Sequence, residues 1–149
     1  MRPDVPIVLG GIAQALLADL PNDIRSPFGK SVASMAGTVT LVIAQEVDRL
    51  VDRLVIENEA TAAILSDACA VLSEELADRV RLAVRDRTPR DLRVSTVQAI
   101  NDTLRALLIE VHAEVEAAGT PAANAMNERI WAELAESIRR RALNLPGFE

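Results

Sequence analysis

Apolar residues recur at intervals of three and four along almost the whole chain, and the pairs Ser26-Pro27, Thr88-Pro89 and Thr120-Pro121 cut that pattern into segments. A period near 3.6 is helical. A small polar residue followed by proline is a helix start, because its side chain can cap free N–H groups and proline has no N–H to leave unpaired. No stretch alternates with period two between turn signals, so no sheet is expected. The spacing therefore predicts an all-α chain.

The pattern divides into five helices. Asp4 caps the first, with Pro6 in its opening turn and Ile7, Leu9, Ile12, Leu16, Leu17 and Leu20 on its apolar face; Pro21-Asn22-Asp23 ends it. The second runs from Ser26-Pro27 to about Leu54. Its seam is Val32, Ala36, Val39, Ile43, Val47, Leu50 and Leu54, widened by Leu41, Ala44, Val51 and Val55. A helix apolar over more than half its circumference is central or is buried in an oligomer. A break is expected near Ile56-Glu57, with Asn58 capping a third helix that continues to about Arg85. Thr88-Pro89 opens the fourth, carried by Val94, Val97, Ile100, Leu104, Leu107, Leu108, Val111 and Val115 and ending near Gly119. Thr120-Pro121 opens the fifth, carried by Met126, Ile130, Trp131, Leu134, Ile138, Ala142 and Leu145 and stopped by Asn144-Leu145-Pro146-Gly147. Short connections make an antiparallel bundle in a single domain, residues 1–149.

Half of the residues are hydrophobic, yet there are only two Phe, one Trp and no Tyr. The core stock is Ala, Val, Leu and Ile, which suits close helix packing. The net charge of −6 argues against a nucleic-acid binder, which carries a basic footprint. The cations are almost all arginine, with Lys30 the one lysine, as GC-rich bacterial coding produces. The lone Cys69 fits a reducing cytosol. Val5 to Leu17 is apolar, but Met-Arg-Pro-Asp before it lacks the positive charge of a signal peptide. The best apolar run, Val32 to Ala44, is about 13 residues against the ~20 of a span. The expectation is a cytoplasmic protein with no membrane or nucleic-acid partner.

Chemistry-bearing residues are few. Gly29-Lys30-Ser31 resembles the end of a phosphate-binding loop, but Ile24 stands where that loop needs glycine and no strand precedes it. His112 is the only histidine, which excludes a multi-histidine metal centre, and it is expected to pair with Glu116 one turn on. Cys69 lies between Ala68 and Ala70 and reads as a small core residue rather than a nucleophile. Glu46 falls in the second helix's seam, where burial would raise its pKa, but Arg49 and Arg53 can pair with it. No catalytic residue, metal ligand or cofactor site is therefore assigned.

The strongest non-random feature is basic. Arg79, Arg81, Arg85, Arg87, Arg90 and Arg93 face only Asp86 and Asp91 in the same stretch, a net +4 within an acidic chain. Guanidinium forks bind phosphate and carboxylate bidentately.

The chain also resembles a family of short bacterial all-helical proteins of unknown function, often encoded beside acyl-CoA dehydrogenases and aminoglycoside-phosphotransferase-like proteins. The resemblance lies in the Arg2-Pro3-Asp4 opening, in Phe28 to Arg49 with its Gln45-Glu46-Val47-Asp48-Arg49 close, and in Leu134 to Phe148. It implies an accessory role near acyl-CoA metabolism and no catalytic residue. Leu145 separates Asn144 from Pro146, where members of that family have Asn-Pro.

Two functional expectations follow. The first is a non-enzymatic helical protein that acts through protein contact as a homodimer. The second is a binding module for a phosphate-bearing or acyl (CoA-like) ligand, held at Arg85, Arg87, Arg90 and Arg93. An enzyme ranks below both, since it would need a buried acid such as Glu46 and a cleft.

Overall fold

The structure is a computed structural model, and it describes residues 4–143. Among those residues every regular element is helical and there is no strand. Helix α1 covers Val5–Asp23, α2 Pro27–Ala68, α3 Glu74–Arg85, α4 Val94–Ala118 and α5 Pro121–Arg140. Arg2-Pro3, the Asn144–Gly147 stop, Leu145 and the Pro-Gly-Phe tail lie outside the described residues.

Three of the expected starts are built as the cap chemistry requires. Asp4 accepts from the Ile7 N–H at 3.4 Å, Ser26 Oγ from Gly29 at 3.3 Å and Thr120 Oγ1 from Ala123 at 3.2 Å. Gly119 ends α4 at φ +60°, a left-handed conformation that costs glycine little.

Three features of the boundaries differ from expectation. First, α1 ends at Pro21-Asn22-Asp23, as expected, but these residues form its last helical turn rather than a break before it. Proline's ring would collide with the carbonyl four residues back, at Leu17. The preceding turn, Ala15–Asp19, relaxes to a π-helix in which the Leu20 N–H reaches the Ala15 carbonyl. Second, α2 does not break at Ile56-Glu57, and Asn58 is not a cap. The helix runs through both for 42 residues, about 63 Å at 1.5 Å per residue. The turn falls instead at Cys69–Ser73, so Cys69 lies just past the helix end. There its thiol contacts the Leu65 and Ala77 carbonyls at 3.4 and 3.8 Å. Third, Thr88-Pro89 does not start α4, which begins at Val94 with Arg93 in the cap position.

The contacts divide the chain into two compact units that share α2. Among the described residues one comprises residues 4–50 with Leu143, and the other Val51–Ala142. In the first, small residues face inward. Ala13, Ala33, Gly37 and Ala44 are buried. A Cβ on Gly37 would lie 2.6 Å from Leu17 Cγ and 3.1 Å from Leu16 Cβ, so only glycine lets α1 approach α2 this closely.

In the second unit, cross-helix pairs run in opposite sequence order between neighbours. Ser73 and Arg79 of the α3 side meet Glu114 and Glu110 of α4; Glu57 and Asp67 of α2 meet Arg141 and Arg129 of the α5 side. That order is antiparallel. Leu65, Leu76, Val80, Leu104, Val111, Val115, Met126 and Ile130 form the core, with Val71, Leu72, Val84 and Leu134 packed on it. Trp131 and Ile138, which mark the apolar pattern of α5 together with Met126 and Ile130, are 56% and 73% exposed.

Candidate functional site

Two surfaces stand out: an apolar stripe in the first unit and a groove in the second. The stripe lies on α2. Phe28, Val32, Met35, Val39, Ile43 and Val47 are all exposed, Phe28 at 79% and Met35 at 70%. They step by three and four along one side of the helix, away from the small-residue side of Ala33, Gly37 and Ala44. Large apolar groups thus point outward and small ones inward, the reverse of a closed soluble core. The wide arc read from the sequence is here divided between two faces. Lys30, Ser34 and Gln45 fall on a third side. Ser31, Thr38 and Thr40 return their hydroxyls to carbonyls one turn back, at 3.2, 3.0 and 2.8 Å.

By length and composition alone, α1 and α2 could each cross a membrane. The run Val32 to Ala44 is short, but its interspersed Ser and Thr lower the average little, and both helices are long enough to span.

The groove, about 740 Å³, runs between α3 and α4. Leu82, Ala83, Ile100, Leu104 and Leu107 line its walls. Arg79 and Glu110 stand at one end, where a guanidinium fork closes on the carboxylate at 2.7 and 2.8 Å. This bond, with the charge of each partner, raises the Arg79 pKa and lowers that of Glu110. Asp86 and Arg87 stand at the other end, where α3 gives way to the turn leading to α4.

Of the four arginines expected to bind a ligand, only Arg87 lines the groove. It donates to the Val84 carbonyl at 2.9 Å and to Glu59 at 3.1 Å, while its Nε is buried with no acceptor in the protein. Arg85 pairs with Asp86 at 3.2 Å. Arg90 lies 3.9 Å from Asp91 and is highly exposed. The side chain of Arg93 is exposed, and its N–H donates to Asp91. The four therefore share one corner without converging on a point.

Glu46 pairs with Arg49 at 3.2 Å, as expected. His112 lies 3.4 Å from Glu116, also as expected, but its closer partner is Asn127 Oδ1 at 2.8 Å, and its ring meets Trp131 edge-on at 5.2 Å. Lys30 is exposed in the first turn of a helix, not in a loop.

Sequence reasoning missed the buried polar cluster around Glu57. This side chain is 2% exposed. Arg141 forks onto it at 2.9 and 2.6 Å, and Ser137 Oγ donates at 3.4 Å. Desolvation is the largest single influence on Glu57 and raises its pKa. The hydrogen bond and charge of Arg141, with the charges of Arg53 and Arg105, outweigh it and leave the pKa lowered. The missed signal was Glu57-Asn58 itself: two polar residues at inward positions of α2. Among the described residues no three His, Cys, Asp or Glu side chains group as a metal site.

These features define an all-α helical protein. No protein-family profile, characterised protein or solved structure matches the chain.

Proposed function

We propose that this chain is a cytosolic, non-enzymatic helical protein that acts through protein contact, pairing with a second copy along the exposed stripe of α2. The observation that carries the reading is the stripe from Phe28 to Val47, large, apolar and exposed at steps of three and four along one side of α2. Burying each such side chain contributes ~1.5–3 kcal/mol before the cost of association. The stripe residues carry no charge that would select a different partner. A second copy presents the same residues at the same spacing, and a two-fold axis pairs like with like. Lys30, Ser34 and Gln45, on another side of the same helix, favour a face left in water over a helix wrapped in lipid.

Light scattering on the full chain at micromolar concentration tests this. The expected result is a dimer, and a helical monomer for Val39→Asp. A wild-type monomer that leaves vesicles untouched overturns the reading. Flotation with lipid vesicles, abolished by Val39→Asp, overturns it too and puts a bilayer in the partner's place.

A further inference from the structure

We propose that the α3–α4 groove is a binding site for an aliphatic chain with an anionic head group. The inference concerns residues Val51–Ala142 and is independent of the dimer. The groove's size is in the range of small-ligand sites, ~300–1,000 Å³. Its walls are aliphatic and carry no aromatic ring on which a base or flavin could stack. The α4 wall extends about 16 Å from Ala99 to Glu110 at 1.5 Å per residue, a slot suited to an extended chain.

The two ends differ in charge. At the Arg79 end the guanidinium fork is already filled by Glu110, which closes that end to an anion. The Arg87 end opens at the turn between α3 and α4, where Arg85, Arg87, Arg90 and Arg93 outnumber Asp86, Asp91 and the Glu59 that holds one Arg87 nitrogen. The Arg87 Nε, buried beneath this corner, has no acceptor in the protein, so the guanidinium is not fully neutralised by its own neighbours. A carboxylate or phosphate head would sit at this corner, and its chain would lie over Leu82, Ile100, Leu104 and Leu107 toward Arg79. This joins the arginine cluster and the groove into one site with a polar mouth and an apolar floor.

Calorimetric titration of the full chain with decanoate, decyl phosphate and decanol, all below their micelle concentrations, tests the assignment. The two anions should bind saturably, about tenfold or more tighter than decanol. The stronger of the two identifies the head group. Ala99→Trp, which fills the groove from its exposed wall, should abolish binding while helicity is retained. Arg87→Gln should weaken the anions and leave decanol unchanged. Val39→Asp should bind as the wild type does. Absence of saturable binding overturns the proposal. So does binding that survives Ala99→Trp, or that is lost in Val39→Asp and therefore belongs to the α2 stripe. Equal affinity for decanol removes the anionic head from the assignment.

Discussion

The guanidinium of Arg141, just past the end of α5, forks onto both carboxylate oxygens of Glu57 in the C-terminal half of α2, at 2.9 and 2.6 Å. The two residues are 84 positions apart in sequence. One is almost wholly buried and the other half in water, so the pair pins the end of α5 to α2.

Removing Arg141 leaves a buried carboxylate without its main partner. Breaking a buried pair costs ~3–5 kcal/mol. The half-exposed Arg141, and the charges of Arg53 and Arg105 that still act on Glu57, place Arg141→Met at about 3 kcal/mol on that scale. Urea unfolding measures it. Glu57→Leu combined with Arg141→Met should recover most of the loss, since an apolar pair leaves no charge to desolvate. A double variant less stable than Arg141→Met alone would contradict this account.

The same pair sets a pH dependence. The folded Glu57 pKa lies below the ordinary value of 4.5, so the unfolded chain takes up this proton first as pH falls. Its stabilising contribution is complete above the unfolded pKa and is lost as pH drops through the folded one. The stability difference between wild type and Glu57→Gln should stay level from about pH 7 to about pH 5 and shrink below that. Denaturant titrations at several pH values read the difference; one that grows on acidification would reverse the assigned sign.

Gly37 separates propensity from packing. In a helix, alanine gains about 1 kcal/mol over glycine. Here the added Cβ meets Leu17 Cγ at 2.6 Å and Leu16 Cβ at 3.1 Å, close to their backbone and hard to displace. Gly37→Ala should therefore destabilise by about 1–3 kcal/mol. Adding Leu17→Ala should relieve part of the clash. Thermal unfolding followed by circular dichroism distinguishes the outcomes, and a stabilised Gly37→Ala would mean that the two helices are not in close contact.

Asn58 and Asn101 form a second buried polar tie. Asn101 donates to Asn58 Oδ1 at 2.9 Å, and Asn58 donates to the Val97 carbonyl at 3.2 Å. Asn101→Leu leaves a buried acceptor unpaired and should cost about 1–3 kcal/mol. A double-mutant cycle with Asn58→Leu should show positive coupling. Additive losses would mean that the two side chains act independently.

Local chemistry made much of this fold legible. Asp4, Ser26 and Thr120 cap helices because their oxygens reach N–H groups three residues on, and Gly119 stops one because it accepts positive φ. Thr88-Pro89 carried the same local signal and failed. Arg87 secures the end of α3 through the Val84 carbonyl and Glu59, and regular helix resumes only at Val94. The arginine cluster was visible by composition. That only Arg87 of the four expected residues lines a groove was not, because it depends on α3 lying beside α4.

The sequence by itself determined the all-helical class, most helix starts and the apolar positions that fill α3 and α4. These follow from side-chain spacing and caps, which act within one or two turns. Tertiary structure decided that α2 continues through Glu57-Asn58, that the chain turns at Cys69–Ser73, and that Trp131 and Ile138 stay in solvent. Polar residues inside an apolar helix look like an interruption until partners 39 to 84 positions away satisfy them. Those hydrogen bonds keep α2 unbroken, and only the folded chain supplies them.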